Sequence, residues 1–299
     1  MSKQKQPLYF VAPLVVVLAI VYLYPVYFAI RVSFFKWLFT RPDLIGFNGL
    51  ENYVRALADK TLLDSLITTT VYTFASILIV VVWGFLIAYV LNRKRRGREL
   101  IRGKPVILTI LTCSAIIAPA VIGGVFRVFI WDPAYGLANY ALSLVGLSSL
   151  GWLVETKTAL MAVVLTEAWL RVPLAVLILD AGIRRVPPEP FEAAKIEGAS
   201  AWDEVRFILV PLIKPQLFTV VLFQLTFAFR QFDLVFMLTG GGPANATNLV
   251  SIYIYKMFSQ HANLGYASAM AVVVTLVLVV LGLIILALSG PPEERLVET

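Results

Sequence analysis

Charge, cysteine and histidine are scarce in this sequence. Asp, Glu, Lys and Arg together make up 14% of its 299 residues, against roughly 25% in soluble domains. There is one cysteine, Cys113, and one histidine, His261. Those counts exclude a disulfide framework and any thiolate or multi-histidine metal centre built within the chain. No GxxxxGK[ST] stretch occurs, so the chain brings no phosphate-binding loop of that kind. A hidden soluble domain is also missing. The stretches between apolar runs, 31–69, 129–158, 182–215 and 239–266, are each too short for a substantial core. A disordered protein, an ordinary soluble enzyme and a nucleic-acid-binding domain are all excluded on these grounds.

Apolar side chains are what the sequence has in quantity. Hydrophobic residues reach 60% and the mean hydropathy is +0.85. A bilayer crossing needs about 20 mostly apolar residues. Six stretches meet that need: 8–30, 70–91, 105–128, 159–181, 216–238 and 267–288. Backbone groups in lipid must pair internally, so each is expected to be a helix. The expected fold is all-α: a polytopic membrane protein in one domain, 1–299, with six spans. The first run follows Lys3 and Lys5. It exceeds the roughly 7–15 apolar residues of a signal peptide, and no small-residue cleavage site follows it, so a retained helix is expected.

The formal net charge of +7 is a matter of placement. Between the second and third runs stand Arg93, Lys94, Arg95, Arg96, Arg98, Arg102 and Lys104. A short loop so basic is expected on the cytoplasmic side, where it also suits anionic lipid headgroups. Alternation then puts Arg184, Arg185, Lys195, Arg206 and Lys214 on the same side, with both termini. The basic excess is thus topology, and no nucleic acid is expected as a partner.

The loop between the fourth and fifth runs, 186–215, reads VPPEPFEAAKIEGASAWDEVRFILVPLIKP. Pro187, Pro188 and Pro190 end one helix and prepare the next. The stretch from Glu192 to Glu197 forms helix readily. Gly198 breaks it through a left-handed turn. Ser200 and Asp203 are spaced as a capping pair, and a second helix is expected from Ala201 to Val210, stopped by Pro211. The result is a stiff cytoplasmic helix–turn–helix. Ala193 and Ala194 give it a shallow surface, and Glu192 and Lys195 add polar contacts.

The order Glu192-Ala193-Ala194, Gly198-Ala199, Phe207, Pro211 and Pro215 resembles the EAA loop of binding-protein-dependent ABC importer permeases. Glu197 replaces a more usual aspartate, and Val210 a common leucine. Trp169 and Pro173 are similar to the W-x-x-x-P of that family. Phe232-Asp233 with the run Leu238 to Pro243, the segment Tyr253–Tyr266, and the opening Ala12-Pro13 with Tyr24-Pro25 resemble its carbohydrate branch. The resemblance covers nearly the whole chain. It implies a permease of the first type found in sugar importers, without an ATPase site and without catalytic or metal-ligating residues. It implies a second homologous permease, an ABC ATPase dimer that binds ATP and magnesium, an extracellular solute-binding lipoprotein and a sugar-type solute in the cell membrane. Glu192, Ala193, Ala194, Lys195, Gly198 and Ala199 would contact the ATPase. Gly240, Gly241, Gly242 and Pro243, in a loop expected to be flexible and exposed, would contact the binding protein.

Ionisable groups inside spans mark pathways or partners. Gln224, Arg230, Gln231, Glu167 and Trp169 suit a solute path, since sugars are met by hydrogen-bonding groups and aromatic faces. The same residues suit a structural role: Glu167 with Arg171 and Arg230 with Asp233 are spaced to pair along a helix. An importer permease for amino acids or ions, a secondary transporter and a membrane enzyme are the other readings. The Gly-Gly-Gly-Pro loop argues against the first. The absence of repeat-like halves argues against the second, and the single histidine with scattered carboxylates argues against the third.

Overall fold

The structure is a computed structural model that describes residues 7–95, 98–99, 101 and 103–289. Lys3, Lys5, Arg96, Arg102 and residues 290–299 lie outside the described residues.

Helix α1 (Pro7–Leu18), a π-turn (Ala19–Leu23) and α2 (Tyr24–Ser33) form the first expected span. A two-residue ribbon follows, β1 (Phe35–Lys36) against β2 (Gly46–Phe47), with Phe35 opposite Phe47. A short helix, α3 (Glu51–Ala58), then leads into α4 (Lys60–Asn92). The helix that carries the second expected span, 70–91, therefore starts earlier, at Lys60. Asp59 is the reason: its Oδ1 accepts the backbone N–H groups of Thr61 and Leu62 at 2.9 and 3.2 Å, which caps the helix there.

After the ribbon β3 (Lys94–Arg95) with β4 (Arg98–Glu99) come α5 (Lys104–Ala115), α6 (Pro119–Val125) and a π-turn (Phe126–Ile130). The third expected span is not straight; its halves meet at 93°. Pro119 bars the helical conformation at the residue before it, and Ala118 is extended (φ −61°, ψ 133°). Helix α7 (Leu137–Leu144) precedes α8 (Thr156–Ile183), the fourth span.

The loop after α8 contains α9 (Glu189–Ile196), α10 (Ala201–Asp203), a π-turn (Glu204–Leu209) and α11 (Val210–Leu212). Then follow α12 (Lys214–Phe229), α13 (Asp233–Leu238), α14 (Val250–Ser259) and α15 (Leu264–Ser289). Pro13–Ser33, Lys60–Asn92, Thr156–Ile183 and Leu264–Ala287 are each long and apolar enough to cross a bilayer. Two bent pairs, Lys104–Ala115 with Pro119–Ile130 and Ala201–Leu212 with Lys214–Phe229, raise the number to six when each is counted once. The fifth span, expected over 216–238, is interrupted between Phe229 and Asp233.

Contacts divide the chain into two bodies, residues 1–64 with 253–277 and residues 65–252 with 278–299. In the first, Asp59 Oδ2 accepts the hydroxyls of Tyr253 and Tyr266 at 2.7 and 2.6 Å. The second holds two apolar clusters. Tyr72, Ile122, Trp131, Trp152, Leu234 and Leu249 belong to one, and Val80, Ala88, Leu179, Leu209, Ile213 and Val220 to the other. Helices α4 and α8 meet closely because Gly84 lacks a Cβ, which would stand 2.7 Å from that of Ala175. Small residues permit such approach where lipid supplies no hydrophobic drive.

Candidate functional site

Helix α9 ends in a Schellman turn. The Ala199 N–H reaches the Ala194 carbonyl at 2.9 Å and the Gly198 N–H reaches that of Lys195 at 3.2 Å. The turn needs left-handed backbone at its penultimate position, and Gly198 supplies it with φ +81°. The expected cap is present: the Asp203 N–H donates to Ser200 Oγ at 3.3 Å, and the Ser200 N–H donates to Asp203 Oδ2 at 3.0 Å. The Ser200 hydroxyl also donates to that carboxylate at 2.5 Å. These bonds hold the Asp203 carboxyl below its ordinary range.

The helix beyond the cap differs from expectation. Pro211 does not stop it; the stop is at Ile213 (φ −98°, ψ 11°). Proline in an α-helix costs a backbone bond and a clash. Here the π-turn Glu204–Leu209 precedes it, and its wider register places the ring in the first turn of α11, where no donor is required.

The elbow is anchored inward by Leu209 and Ile213, both buried. Outward it presents Glu192, Ala193 and Lys195, with Ile196 at 88% exposure and Trp202 and Phe207 at 67% and 66%. Lys195 Nζ lies 4.0 Å from Glu204 Oε1 across the turn. Tyr89, Asn92, Phe191, Lys195 and Glu204 line a hollow of about 440 Å³ behind it.

A second group of polar side chains lies deep in the same body. Glu167 is fully buried. Its Oε1 accepts Arg171 Nε at 3.0 Å and its Oε2 accepts Gln231 Nε2 at 2.9 Å. The Arg171 guanidinium stands 4.3 Å over the Phe227 ring. Arg171, Phe227 and Gln224 line one narrow crevice. The Tyr72 hydroxyl of α4 is shared with Glu167 and Ser76. Gln224 Nε2 and the neighbouring Thr73 hydroxyl are buried with no hydrogen-bond partner among the described residues. Each such group costs about 1–3 kcal/mol until it is met.

Glu167 and Gln231 are thus brought together, and Gln224 lies beside their partner Arg171. Arg230 and Trp169 stand apart from them. Arg230 is exposed, and its expected pairing with Asp233 is not formed. Helix α12 ends at Phe229 and α13 begins at Asp233, so the two do not share a helical turn. The interruption is held by Gln231, whose amide serves Glu167 and whose carbonyl accepts Ser251 Oγ at 2.5 Å. Trp169 packs on Phe126, ring centroids 5.1 Å apart. It lines an apolar groove of about 550 Å³ with Trp83, Ile110 and Pro173.

Sequence reasoning missed a third cluster. Asp180 Oδ1 takes Lys104 Nζ at 2.7 Å and Asn92 Nδ2 at 2.7 Å, and Oδ2 takes Arg184 at 2.6 Å. Lys104 Nζ also donates to Asn92 Oδ1 at 2.6 Å. The ends of α4, α5 and α8 are tied there, at Asp180, shortly before the elbow segment begins at Val186. Lys104, placed by sequence among loop cations, is buried. Only Asp180 at a span end signalled the site.

The loop after α13 also departs from expectation. Gly240 and Gly241 have positive φ and the Gly242–Pro243 peptide is cis. Thr247 Oγ1 donates to the Gly242 carbonyl at 2.7 Å and lies 2.6 Å from Thr239 Oγ1. Thr247 and Asn248 are buried, and within 239–250 exposure is confined to Ala244 and Asn245. The loop is a bonded turn with a small tip rather than an open strand. Gly242 and Pro243 border a hollow of about 430 Å³ with Arg127, Trp131 and Asp132.

Comparison with known proteins gives a consistent result. The sequence model of the family described as "Binding-protein-dependent transport system inner membrane component" matches residues 53–291. The chain is 33% identical over 280 residues to the "Probable ABC transporter permease protein YurN" of Bacillus subtilis, covering 93% of each. It is 32% identical to the "Trehalose/maltose transport system permease protein MalF" of Thermococcus litoralis, covering 78% of this chain and 76% of that one. It is 30% identical to the "Arabinooligosaccharides transport system permease protein AraP" of Bacillus subtilis, covering 97% and 90%. Among solved structures, it matches a chain of a bacterial ABC transporter involved in the import of the acidic polysaccharide alginate. That match has a TM-score of 0.77 at 20% identity and covers 94% of each chain, which is a likeness of fold.

Proposed function

Because the chain belongs to the family of binding-protein-dependent transport system inner membrane components, we propose that it forms half of the translocation path of an ATP-driven importer for a sugar-type solute. The observation that carries the reading is the elbow. It is a rigid turn with apolar side chains facing solvent, anchored by Leu209 and Ile213 to the helices it would move. Such a surface suits the cleft of an ATPase. ATP and magnesium bind there, on two copies of that separate subunit, and this chain makes or breaks no covalent bond. Glu192, Ala193, Ala194 and Lys195 form the docking face, while Gly198 and Ala199 set its angle. Two discrete packings of the helices, one open to each side, would follow closure of the ATPase. In this reading the elbow and both termini are cytoplasmic.

A second, homologous permease completes the path, and an extracellular solute-binding lipoprotein delivers the solute. Ala244 and Asn245, at the tip held by Gly240, Gly241, Gly242 and Pro243, are the proposed contact with that protein. The sugar class rests on two supports. Relatives named for trehalose/maltose and arabinooligosaccharide transport align over most of the chain. The unmet donors of Gln224 and Thr73 suit a solute rich in hydroxyls. Arg230 stands exposed at the interrupted span, Trp169 offers an aromatic face, and Glu167 with Gln231 holds the interruption in shape.

Purifying the tagged chain from its native membranes in mild detergent, with mass spectrometry of what accompanies it, tests the reading. Recovery of a P-loop ATPase and a second six-span permease is the expected result. A chain that comes out alone and moves solute into liposomes without ATP would sink it.

A further inference from the structure

We propose that α3 is an interfacial anchor, lying in the lipid headgroup layer at the membrane surface where the first span ends. Its sequence sorts into three faces on a helix of 3.6 residues per turn. Leu50, Val54 and Leu57 share one face and are 63%, 65% and 68% exposed. Phe47, just before it, is 75% exposed. Glu51 and Arg55 form the adjoining face and are also exposed. Asn52 and Ala56, on the third, are buried at 7% and 1%. An apolar face turned away from the protein, with a charged one beside it, is the pattern of a helix lying in the plane of a membrane.

Two ties fix its depth. Asn52 Nδ2 donates to the carbonyls of Ser33 and Phe35 at 2.8 and 2.9 Å, and Ser33 is the last residue of the first apolar span. The Ser33 hydroxyl also lies 2.5 Å from the Tyr53 hydroxyl. At its other end α3 stops at Ala58, and Asp59 caps α4, which starts at Lys60. The helix is therefore bound at one end to the point where the first apolar span stops, and at the other to the first turn of α4, which at 33 residues extends past the roughly 20 that a crossing needs. A third tie keeps it from rolling: the Arg55 guanidinium stands 4.3 Å over the Tyr266 ring, leaving the leucines and valine to the other side.

Lipid is the occupant this geometry favours. A protein cover would have to meet the apolar face at the depth where headgroups already stand. Water there would leave Leu50, Val54 and Leu57 hydrated on one face, with Phe47 exposed just before them, although burying each is worth about 1.5–3 kcal/mol.

Nitroxide accessibility tests the proposal. In a Cys113→Ser background, the variants Phe47→Cys, Val54→Cys, Leu57→Cys and Glu51→Cys are spin-labelled. The full chain, purified with its accompanying subunits, is placed in vesicles of phosphatidylcholine and phosphatidylglycerol. Power saturation is then compared with oxygen, which partitions into lipid, and a neutral nickel chelate, which stays in water. Oxygen is expected to dominate several-fold at 47, 54 and 57, with the order reversed at 51. Weak access of both reagents at the three apolar positions would mean a protein cover and would overturn the proposal. Dominance of the nickel chelate at all four would mean a solvated helix and would overturn it equally. The substituted positions are exposed, and three of them report the same face, so one poorly expressed variant does not decide the outcome.

Discussion

The elbow after α8 turns Ile196, Trp202 and Phe207 outward, while the layer between α4, α8 and α12 encloses Glu167, Arg171, Gln224 and Gln231. Apolar groups stand where water is available, and polar groups stand where it is scarce. The two regions belong to one body, yet each is incomplete in the opposite sense. The elbow lacks a cover, which another protein would supply. The buried layer lacks donors and acceptors for some of its groups, and it partly supplies its own, through Glu167, Arg171 and Gln231. The proposed docking surface thus rests on exposure, and the proposed path on unmet hydrogen bonds.

The largest effect is expected in the buried layer. Glu167→Leu leaves the Arg171 cation and the Gln231 amide without their acceptor, a loss of about 3–5 kcal/mol. Thermal unfolding of the purified chain measures it, and adding Arg171→Met should restore much of the loss. An unchanged melting temperature in the single variant would show that the carboxylate is not the centre of the layer. Asp180→Leu comes next. Lys104 is left buried, but Asn92 still accepts from it, and Arg184, at 52% exposure, can turn to solvent. A smaller drop in the same melting measurement is expected, with weaker uptake because α8 loses its tie to α4 and α5.

On the elbow, effects should appear in coupling before stability. Gly198→Asp forces a side chain into left-handed backbone, at about 1–2 kcal/mol. The chain should still reach the membrane, while ATPase recovery and uptake fall together. Normal uptake in that variant would remove the lever from the mechanism. Ser200→Ala removes the cap, worth about 1 kcal/mol. Faster amide exchange at Asp203, without loss of assembly, is the expected reading.

The Asp59 node lies between the two extremes and shifts least near neutral pH. Burial raises the Asp59 carboxyl, but two tyrosine hydroxyls and two backbone amides outweigh it and set it below 3.8. Its contribution to stability is therefore full above that value and lost as pH falls through the lower, folded one. Burial first, and then Asp59, pushes the Tyr253 hydroxyl from 10.0 up to about 12. That contribution is full below 10.0 and fades as pH rises toward about 12. The ultraviolet titration of the protein minus that of Tyr253→Phe should show one tyrosine ionising late. One ionising near 10.0 would mean that the node is open.

Local signals were legible before the structure. Gly198, with Ser200 and Asp203, names a turn and a cap using six neighbouring residues, and both formed. Apolar runs indicated long helices for the same reason, and four single helices and two bent pairs stand at those runs. The bend at Ala118 was also locally written, in Pro119, but the apolar run on both sides masked it. The interruption at Gln231 was not written locally, having neither proline nor glycine. It depends on Glu167, 64 residues away, and on Ser251. Lys104 with Asp180 is of the same kind: each looks like a loop or end charge until the fold joins them. Of the buried polar layer, the sequence identified Glu167, Gln231 and Gln224 as unusual, but could not separate them from Arg230. What separates them is burial: Gln224 and Gln231 are enclosed, whereas Arg230, next to Gln231 in the same interruption, is exposed.

The position of Arg171 one turn after Glu167 also bears on how the chain is made. Spans leave the translocation machinery in order, and a charge at the centre of a lone helix costs about 2.5–3.5 kcal/mol. Because both partners lie on α8, they can join before any later span exists, and the helix enters lipid as a neutral unit. Gln231, synthesised afterwards, then finds an acceptor already in place. Biogenesis and final packing thus draw on the same pair of side chains, first to admit α8 and later to shape the interrupted helix beside it.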